Sequence, residues 1–219
     1  MLFISSPFRT HDLRPRSPLS EPVRRPTATL GSSLAMTTHI ALLRGINVGS
    51  HKRIAMAELR ELLAELGYGG VRTLLQSGNV VMSAEAQPAE LASELEREIA
   101  GRFSVQTPVV VRTREELAAV VALNPLRDVA DDPKRYQVSF LSAEPAPEAV
   151  RAIAAVDVEP ERLVHVGREI YAWHPDGIHT SPLAKLLTDK RLGVVATARN
   201  WNTTTKLLEM ASEHEDRME

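Results

Sequence analysis

The chain of 219 residues contains no cysteine, which excludes disulfides, thiolate zinc sites and thiol nucleophiles from its chemistry. A reducing, cytoplasmic setting fits that composition. No apolar run approaches the length of about 18 residues that a membrane-spanning helix needs, so no membrane association is expected. Several chemical signatures are missing as well: no Gly-Lys-Ser/Thr ending of a P-loop, no G-x-G-x-x-G turn, no G-x-S-x-G elbow and no H-E-x-x-H pair occurs. Nucleotide motifs and the commoner hydrolase motifs therefore have no footing. At 43% hydrophobic and 25% charged residues, the composition is that of a globular protein long enough to bury a real core.

The first 36 residues differ from the rest. They hold five prolines and five arginines without hydrophobic periodicity, and are expected to be unfolded. Prolines, Asp12 and Glu21 argue against an amphipathic presequence helix. Met36 stands just before the first strand-like run, so a misassigned start is the simplest account of residues 1–36. Beyond Met36 the chain has 21 basic and 26 acidic residues, a net charge of about −5. Such a body does not suit non-specific polyanion binding.

From Thr38 onward the periodicities change in a regular order. Residues 38–44 suggest a strand, and 56–66 place Leu59, Leu62, Leu63 and Leu66 on one helix face. Residues 71–76 and 80–84 flank Ser77-Gly78-Asn79 as a hairpin. A helix opens at Pro88, with Leu91, Leu95 and Ile99 on one side, and 105–112 closes as a strand. Thr113 and Glu116 form a capping-box pattern for a connecting helix that Asn124-Pro125 ends. The pattern then repeats: strand 135–142, helix 147–156, hairpin 162–167 and 169–174, helix 181–187, strand 193–198, and a closing helix from Thr203. Two βαββαβ runs predict an α+β protein of two tandem ferredoxin-like units with antiparallel sheets. The expected division is 37–112 for the first unit, 113–134 for a helical connector, and 135–219 for the second unit with its closing helix and acidic tail.

In a ferredoxin-like sheet the hairpin between strands two and three lies at the carboxyl end of strand one. Arg44-Gly45-Ile46-Asn47-Val48-Gly49 should therefore share a rim with Gln76-Ser77-Gly78-Asn79. No acidic residue occurs between Pro22 and Ala57, while Arg44, His51, Lys52 and Arg53 fall close together. Gly45 and Gly49 let backbone amides turn toward a bound oxygen, and Arg44 offers a forked donor suited to phosphate or carboxylate. The rim has the makings of an anion site, with Asn47, Gln76 and Asn79 as amide donors and acceptors. Each element also has a local explanation, since glycines make turns and a strand-end arginine is often a solvated ion-pair partner.

Arg199 to Thr203 joins the last strand to the closing helix. Asn202 or Thr203 can cap that helix. Trp201 can pin the helix to the body or, flanked by Asn200, Asn202 and Arg199, stack on a base or sugar. Tyr136 and Phe140 share one strand face, and Tyr171 and Trp173 another; such aromatics usually pack inward, and the alternative is base stacking of the kind RNA-recognition modules use. His174, Asp176 and His179 lie near one another, but a Pro-Asp-Gly turn accounts for the stretch and no metal site is expected.

The blocks LLRGINVG, LLQSGNVV and TARNWNTTTKL resemble the signature of domain-of-unknown-function family 1697, a group of uncharacterised bacterial proteins. The resemblance spans about Thr38 to Ala211. It implies the tandem ferredoxin-like architecture, and carries no established activity or cofactor. The matching positions are Arg44 to Gly49, Gln76 to Asn79, Arg199 to Asn202, and Lys206. One departure is that the family's Asp-Gly-Ile-Gly-Arg-Ser run stands here as Asp176 to Ser181 with His179-Thr180, so an arginine contact from that loop is lost. The residues point to a pocket for a small anionic ligand at the rim, with an enzyme using that pocket or a single-stranded nucleic-acid binder as alternatives.

Overall fold

The apolar run that leads into the RGINVG loop becomes strand β1 (Thr37–Leu43), where six consecutive residues after Thr37 are buried. A strand buried on alternate residues would have one wet face; this one is covered on both. In the computed structural model, which describes residues 36–49 and 53–217, β1 contributes to two packed cores, one on each face. The expected unfolded or misassigned segment falls, up to residue 35, outside the described residues, as do His51 and Lys52.

After β1 come α1 (Met56–Glu65), β2 (Gly69–Leu74), β3 (Asn79–Ala84), α2 (Pro88–Phe103), β4 (Val109–Thr113) and α3 (Arg114–Leu123). Next are β5 (Tyr136–Leu141), α4 (Pro147–Ala154), β6 (Arg162–Val166), β7 (Glu169–Trp173), α5 (Pro182–Leu186), α6 (Asp189–Leu192), β8 (Ala196–Asn200) and α7 (Trp201–Glu215). The strands form two four-stranded sheets, in the orders β2-β3-β1-β4 and β6-β7-β5-β8, with every described pairing antiparallel. With seven helices among the described residues, the molecule is α+β and compatible with two tandem ferredoxin-like units. No helix among those residues is long and apolar enough to cross a membrane.

Alternation along the strands sorts side chains into three cores. Ala41, Leu43, Val80, Met82 and Val111 face Leu59, Leu63, Leu91, Leu95 and Ile99 of α1 and α2. The opposite face, with Ile40, Leu42, Val81 and Val110, packs against Val138, Phe140, Tyr171 and Trp173 of the second sheet, and α3 and α7 close this layer. Leu141, Ile170 and Ala172 cover Ile153, Leu183 and Leu192 on the far side. The layering is helix, sheet, sheet, helix. The strand aromatics thus pack into the inter-sheet core, leaving no open face for a base to stack on.

Three local differences from the sequence reading have simple causes. Helix α6 is a single turn ended by Gly193 at φ +74°, too short to leave a periodicity. Strand β8 therefore starts later than expected. Helix α7 starts at Trp201, because Asn200 rather than Asn202 or Thr203 is its cap.

Helix α7 reaches back to the first sheet. Its His214 ring meets Ser83 Oγ and lies over Gly70, a residue at φ +56° within an irregularity of the β2–β3 ladder. A Cβ at Gly70 would collide with that ring, so glycine is required there twice over. His39 of β1 is 1% exposed, and neither of its ring nitrogens has a hydrogen-bond partner among the described residues. Burial lowers the pKa of both imidazoles from 6.5.

A histidine held neutral by the fold binds fewer protons than it does unfolded. Stability is therefore complete above pH 6.5 and is lost as pH falls from there toward the lowered native values, by up to about 1.4 kcal/mol per pH unit for each imidazole. Urea unfolding at pH 7.5 and 5.5 should show this loss, and His39→Leu should reduce it. An unchanged pH dependence in His39→Leu would show that His39 does not contribute.

Candidate functional site

The buried group that organises the rim is Arg199, on β8 of the second sheet. Its guanidinium is inserted between the two halves, and each of its N–H groups finds an acceptor. Nε donates to Asn79 Oδ1, Nη1 to Thr197 Oγ1 at 2.8 Å and the Ala198 carbonyl at 2.9 Å, and Nη2 to the Leu43 carbonyl at 2.8 Å and the Ser77 carbonyl at 3.3 Å. No carboxylate is among them. Burial pushes its pKa down to about 10, yet the charge persists because neutral dipoles fill the whole donor fork. Arg199 thus meets the hairpin, a proximity the sequence left open, and it has no N–H left for a ligand.

The same contact recurs with the halves exchanged. Arg112 of β4 stands opposite Ile40 as Arg199 stands opposite Val138. Its Nε donates to Glu169 Oε1 at 2.8 Å, Nη1 to the Val111 carbonyl at 2.9 Å, and Nη2 to the carbonyls of Leu141 at 2.7 Å and Arg168 at 3.2 Å. Leu141 is the last residue of β5 as Leu43 is of β1, and Glu169 begins β7 as Asn79 begins β3. Each half thus sends one arginine to the strand end and hairpin of the other. Sequence inspection missed Arg112; the available signal was an arginine one residue before a helix cap in both VVVRT and TARN.

The hairpin that Arg199 holds also positions the RGINVG loop. Asn79 Nδ2 closes the turn onto the Leu74 carbonyl at 2.9 Å and Ser77 Oγ at 3.0 Å. Gly78, at φ +74°, lies so close to the loop that a Cβ would sit 2.7 Å from both Ile46 and Leu43 side chains. Asn47 staples the loop: its Oδ1 accepts from the Ile54 amide at 2.9 Å, and its Nδ2 donates to the carbonyls of Ile54 at 2.9 Å and Gln76 at 2.7 Å. All three of these groups are spent on structure. Gln76 and Ser77 remain exposed.

What that staple secures is an unusual backbone. Gly45, Asn47 and Gly49 have φ of +61°, +56° and +64°, alternating with Ile46 and Val48, which are not in that region. Alternation of this kind turns successive amides toward one side, the nest geometry that cradles oxyanions. No backbone N–H from Gly45 to Gly49 donates to an acceptor among the described residues. Ile46 is buried and anchors the loop, whereas Gly45, Val48 and Gly49 are exposed.

Arg44 is less free than its sequence suggests. Its side chain pairs with Asp189 of α6, and its backbone is fixed by Pro108 and by Thr107 Oγ1, which donates to the Arg44 carbonyl at 2.6 Å. The pair is 37% and 36% exposed, so it contributes at most about 1 kcal/mol and an incoming anion can compete for the guanidinium.

The remaining candidates separate from the rim. Asn200 Oδ1 accepts from the Thr203 amide at 2.9 Å as the cap of α7. Trp201 stacks on Tyr136 with centroids 4.7 Å apart, which pins the helix to β5, and no hydrogen bond or ring contact joins it to the loop or the hairpin among the described residues. Asn202 is exposed, and its carbonyl accepts from Thr205. His174 is buried with Glu161 and Ser181. It has the residue types of a hydrolytic triad without the geometry, because Glu161 at 2.7 Å and Ser181 Oγ at 2.9 Å meet the same ring nitrogen. Ser181 and Glu161 also accept from the amides of Ala184 and Leu183 at the start of α5. Burial works to raise the Glu161 pKa, but the hydrogen bonds from Ser181, His174 and Leu183 outweigh it and hold the carboxyl below its ordinary range.

Fold and site together define a two-sheet α+β protein whose halves are clasped by reciprocal buried arginines and whose first half presents an ordered amide-lined loop. The chain belongs to the family described as "Protein of unknown function (DUF1697)", matching it over residues 36–171. That range covers the loop, the hairpin and Arg112, and ends before Arg199. Among solved structures, the conserved bacterial protein SP0830 from Streptococcus pneumoniae is similar, with a TM-score of 0.67 and 25% sequence identity over 81% of this chain and 99% of that one. No curated protein matches the chain.

Replacing Arg199 by Met leaves the Leu43 and Ser77 carbonyls and Asn79 without their donor, and should cost about 3–5 kcal/mol in denaturant unfolding. Arg199→Lys should recover little, since an ammonium has three donors against five and no planar fork. A loss below about 1 kcal/mol in Arg199→Met would show that the clasp does not hold the halves.

Proposed function

We propose that the chain is a small-ligand binding protein and that the RGINVG loop, facing the QSGN hairpin, holds an anionic, phosphate-bearing ligand. The observation that carries this reading is the run of amides from Gly45 to Gly49, without acceptors among the described residues and at alternating positive φ. Asn47 is not glycine, so its left-handed backbone costs energy that its three side-chain hydrogen bonds offset. Strain maintained in this way serves pre-organisation: the donors are in place before the ligand arrives. Arg44 supplies charge once it exchanges Asp189 for the ligand, and Gln76 and Ser77 supply exposed polar groups from the facing turn. The roles of Asn79 and Arg199 in this site are to hold the hairpin, and those of Asn200, Trp201 and Asn202 are confined to the α7 terminus.

The same reading treats residues 37–112 and 135–219 as two ferredoxin-like units joined by 113–134. The ligand site belongs to the first, since the connection from β1 to α1 spans 44–55 while its counterpart from β5 to α4 spans only 142–146. An enzyme using the pocket needs a general base at the rim; His51, the sequence candidate, lies outside the described residues. Single-stranded nucleic-acid binding loses support from the burial of Tyr136, Phe140, Tyr171 and Trp173 between the sheets.

Thermal melts of the full chain with inorganic phosphate should show a concentration-dependent rise in Tm, several degrees at saturation. Asn47→Ala should abolish the rise, and Arg44→Ala should reduce affinity without changing Tm in the absence of phosphate by more than about 2 °C. A flat response of the parent chain to every phosphate compound would contradict the assignment.

A further inference from the structure

We infer that the ligand is a phosphorylated sugar or polyol, with its phosphate in the Gly45–Gly49 loop and its hydroxyls along the groove between α2 and the segment leading into β4; this deepens the anion-binding reading and rests on it. The groove has a volume of about 610 Å³ and is lined by Ser93, Glu96, Arg97, Ala100, Gln106 and Thr107. That volume is in the range of small-molecule sites. The groove and the loop meet at one residue: Thr107 lines the groove, and its hydroxyl donates to the Arg44 carbonyl, the peptide group that leads into Gly45.

The lining chemistry selects the ligand class. No aromatic side chain among the described residues lines the groove, and the aromatics that the sequence offered as stacking surfaces are engaged elsewhere, Trp201 stacked on Tyr136 and Phe140, Tyr171 and Trp173 buried between the sheets. A nucleobase therefore has no platform. What the groove offers is hydrogen bonding to hydroxyls, its one guanidinium, Arg97, being paired with Glu98 at 3.0 Å. Glu96 is the fixed point: one carboxylate oxygen accepts from the Val109 amide at 2.8 Å, and the other has no partner among the described residues. A carboxylate held in that orientation accepts from hydroxyl groups and repels phosphate. It thereby sets the ligand's direction, with hydroxyls toward Glu96 and phosphate toward the loop amides. Gln106 adds an amide, while Ser93 and Ala100 leave the floor small enough for a carbon chain to lie flat.

Titration calorimetry of the full chain with inorganic phosphate, glucose 6-phosphate, ribose 5-phosphate, glycerol 3-phosphate, glucose and AMP tests this. At least one of the three sugar or polyol phosphates should bind tenfold or more tightly than both inorganic phosphate and AMP. Glu96→Gln, which keeps an oxygen for the Val109 amide, should bring that compound to within about threefold of inorganic phosphate and leave inorganic phosphate unaffected. Equal affinity for inorganic phosphate and all three compounds, or tighter binding of AMP, would overturn the sugar assignment while leaving the anion site standing. Absence of binding by every phosphate compound would overturn both.

Discussion

A guanidinium buried without a carboxylate is the constraint on which the rest of this structure depends. Arg199 is removed from water, and its charge is tolerated because five neutral acceptors from both halves converge on its donor fork. Three of those acceptors belong to the end of β1 and the β2–β3 turn, so the cost of misplacing either is an unsatisfied buried charge. That makes the relative position of β1, the hairpin and β8 steep in energy. Apolar contact between the sheets, by contrast, is nearly indifferent to small slides.

Order then passes outward through successive contacts. Arg199 fixes the hairpin, the Gln76 carbonyl of the hairpin receives Asn47, and Asn47 holds the loop against Ile54 with its amides unspent among the described residues. The RGINVG loop lies at the end of this series of contacts, with Gly45, Val48 and Gly49 exposed. The second clasp shows what the loop adds. Arg112 repeats the contact on the other half, with Glu169 in place of Asn79, but the connection there is short and carries no such loop. One architecture is used twice, and one copy has been elaborated.

Much of the fold was legible because period and punctuation agreed. The heptad-like leucines of α1, the Pro88 start of α2 and the capping box at Thr113 all appear where the sequence places them. Helix α6 was not legible, since four residues cannot display a helical period. The site was legible in outline only. RGINVG and QSGN do meet, but the sequence could not show that Asn47 and Asn79 spend side-chain hydrogen bonds on the backbone around them: in a loop built from left-handed residues the side chains are needed to hold it. The surroundings of Arg199 were hidden for a related reason. A sequence shows that an arginine is present, not how many carbonyls converge on it.

In the proposed function the backbone amides of Gly45 to Gly49, rather than the side chains of the motif, are the recognition surface. Amide proton and nitrogen shifts of the chain, followed during a titration with inorganic phosphate, test it directly. Saturable downfield movement of the Gly45 to Gly49 amide protons, with the Asn79 side chain and the α7 amides unmoved, is the predicted result. Phosphate binding that perturbs another region and leaves these five amides in place would contradict it.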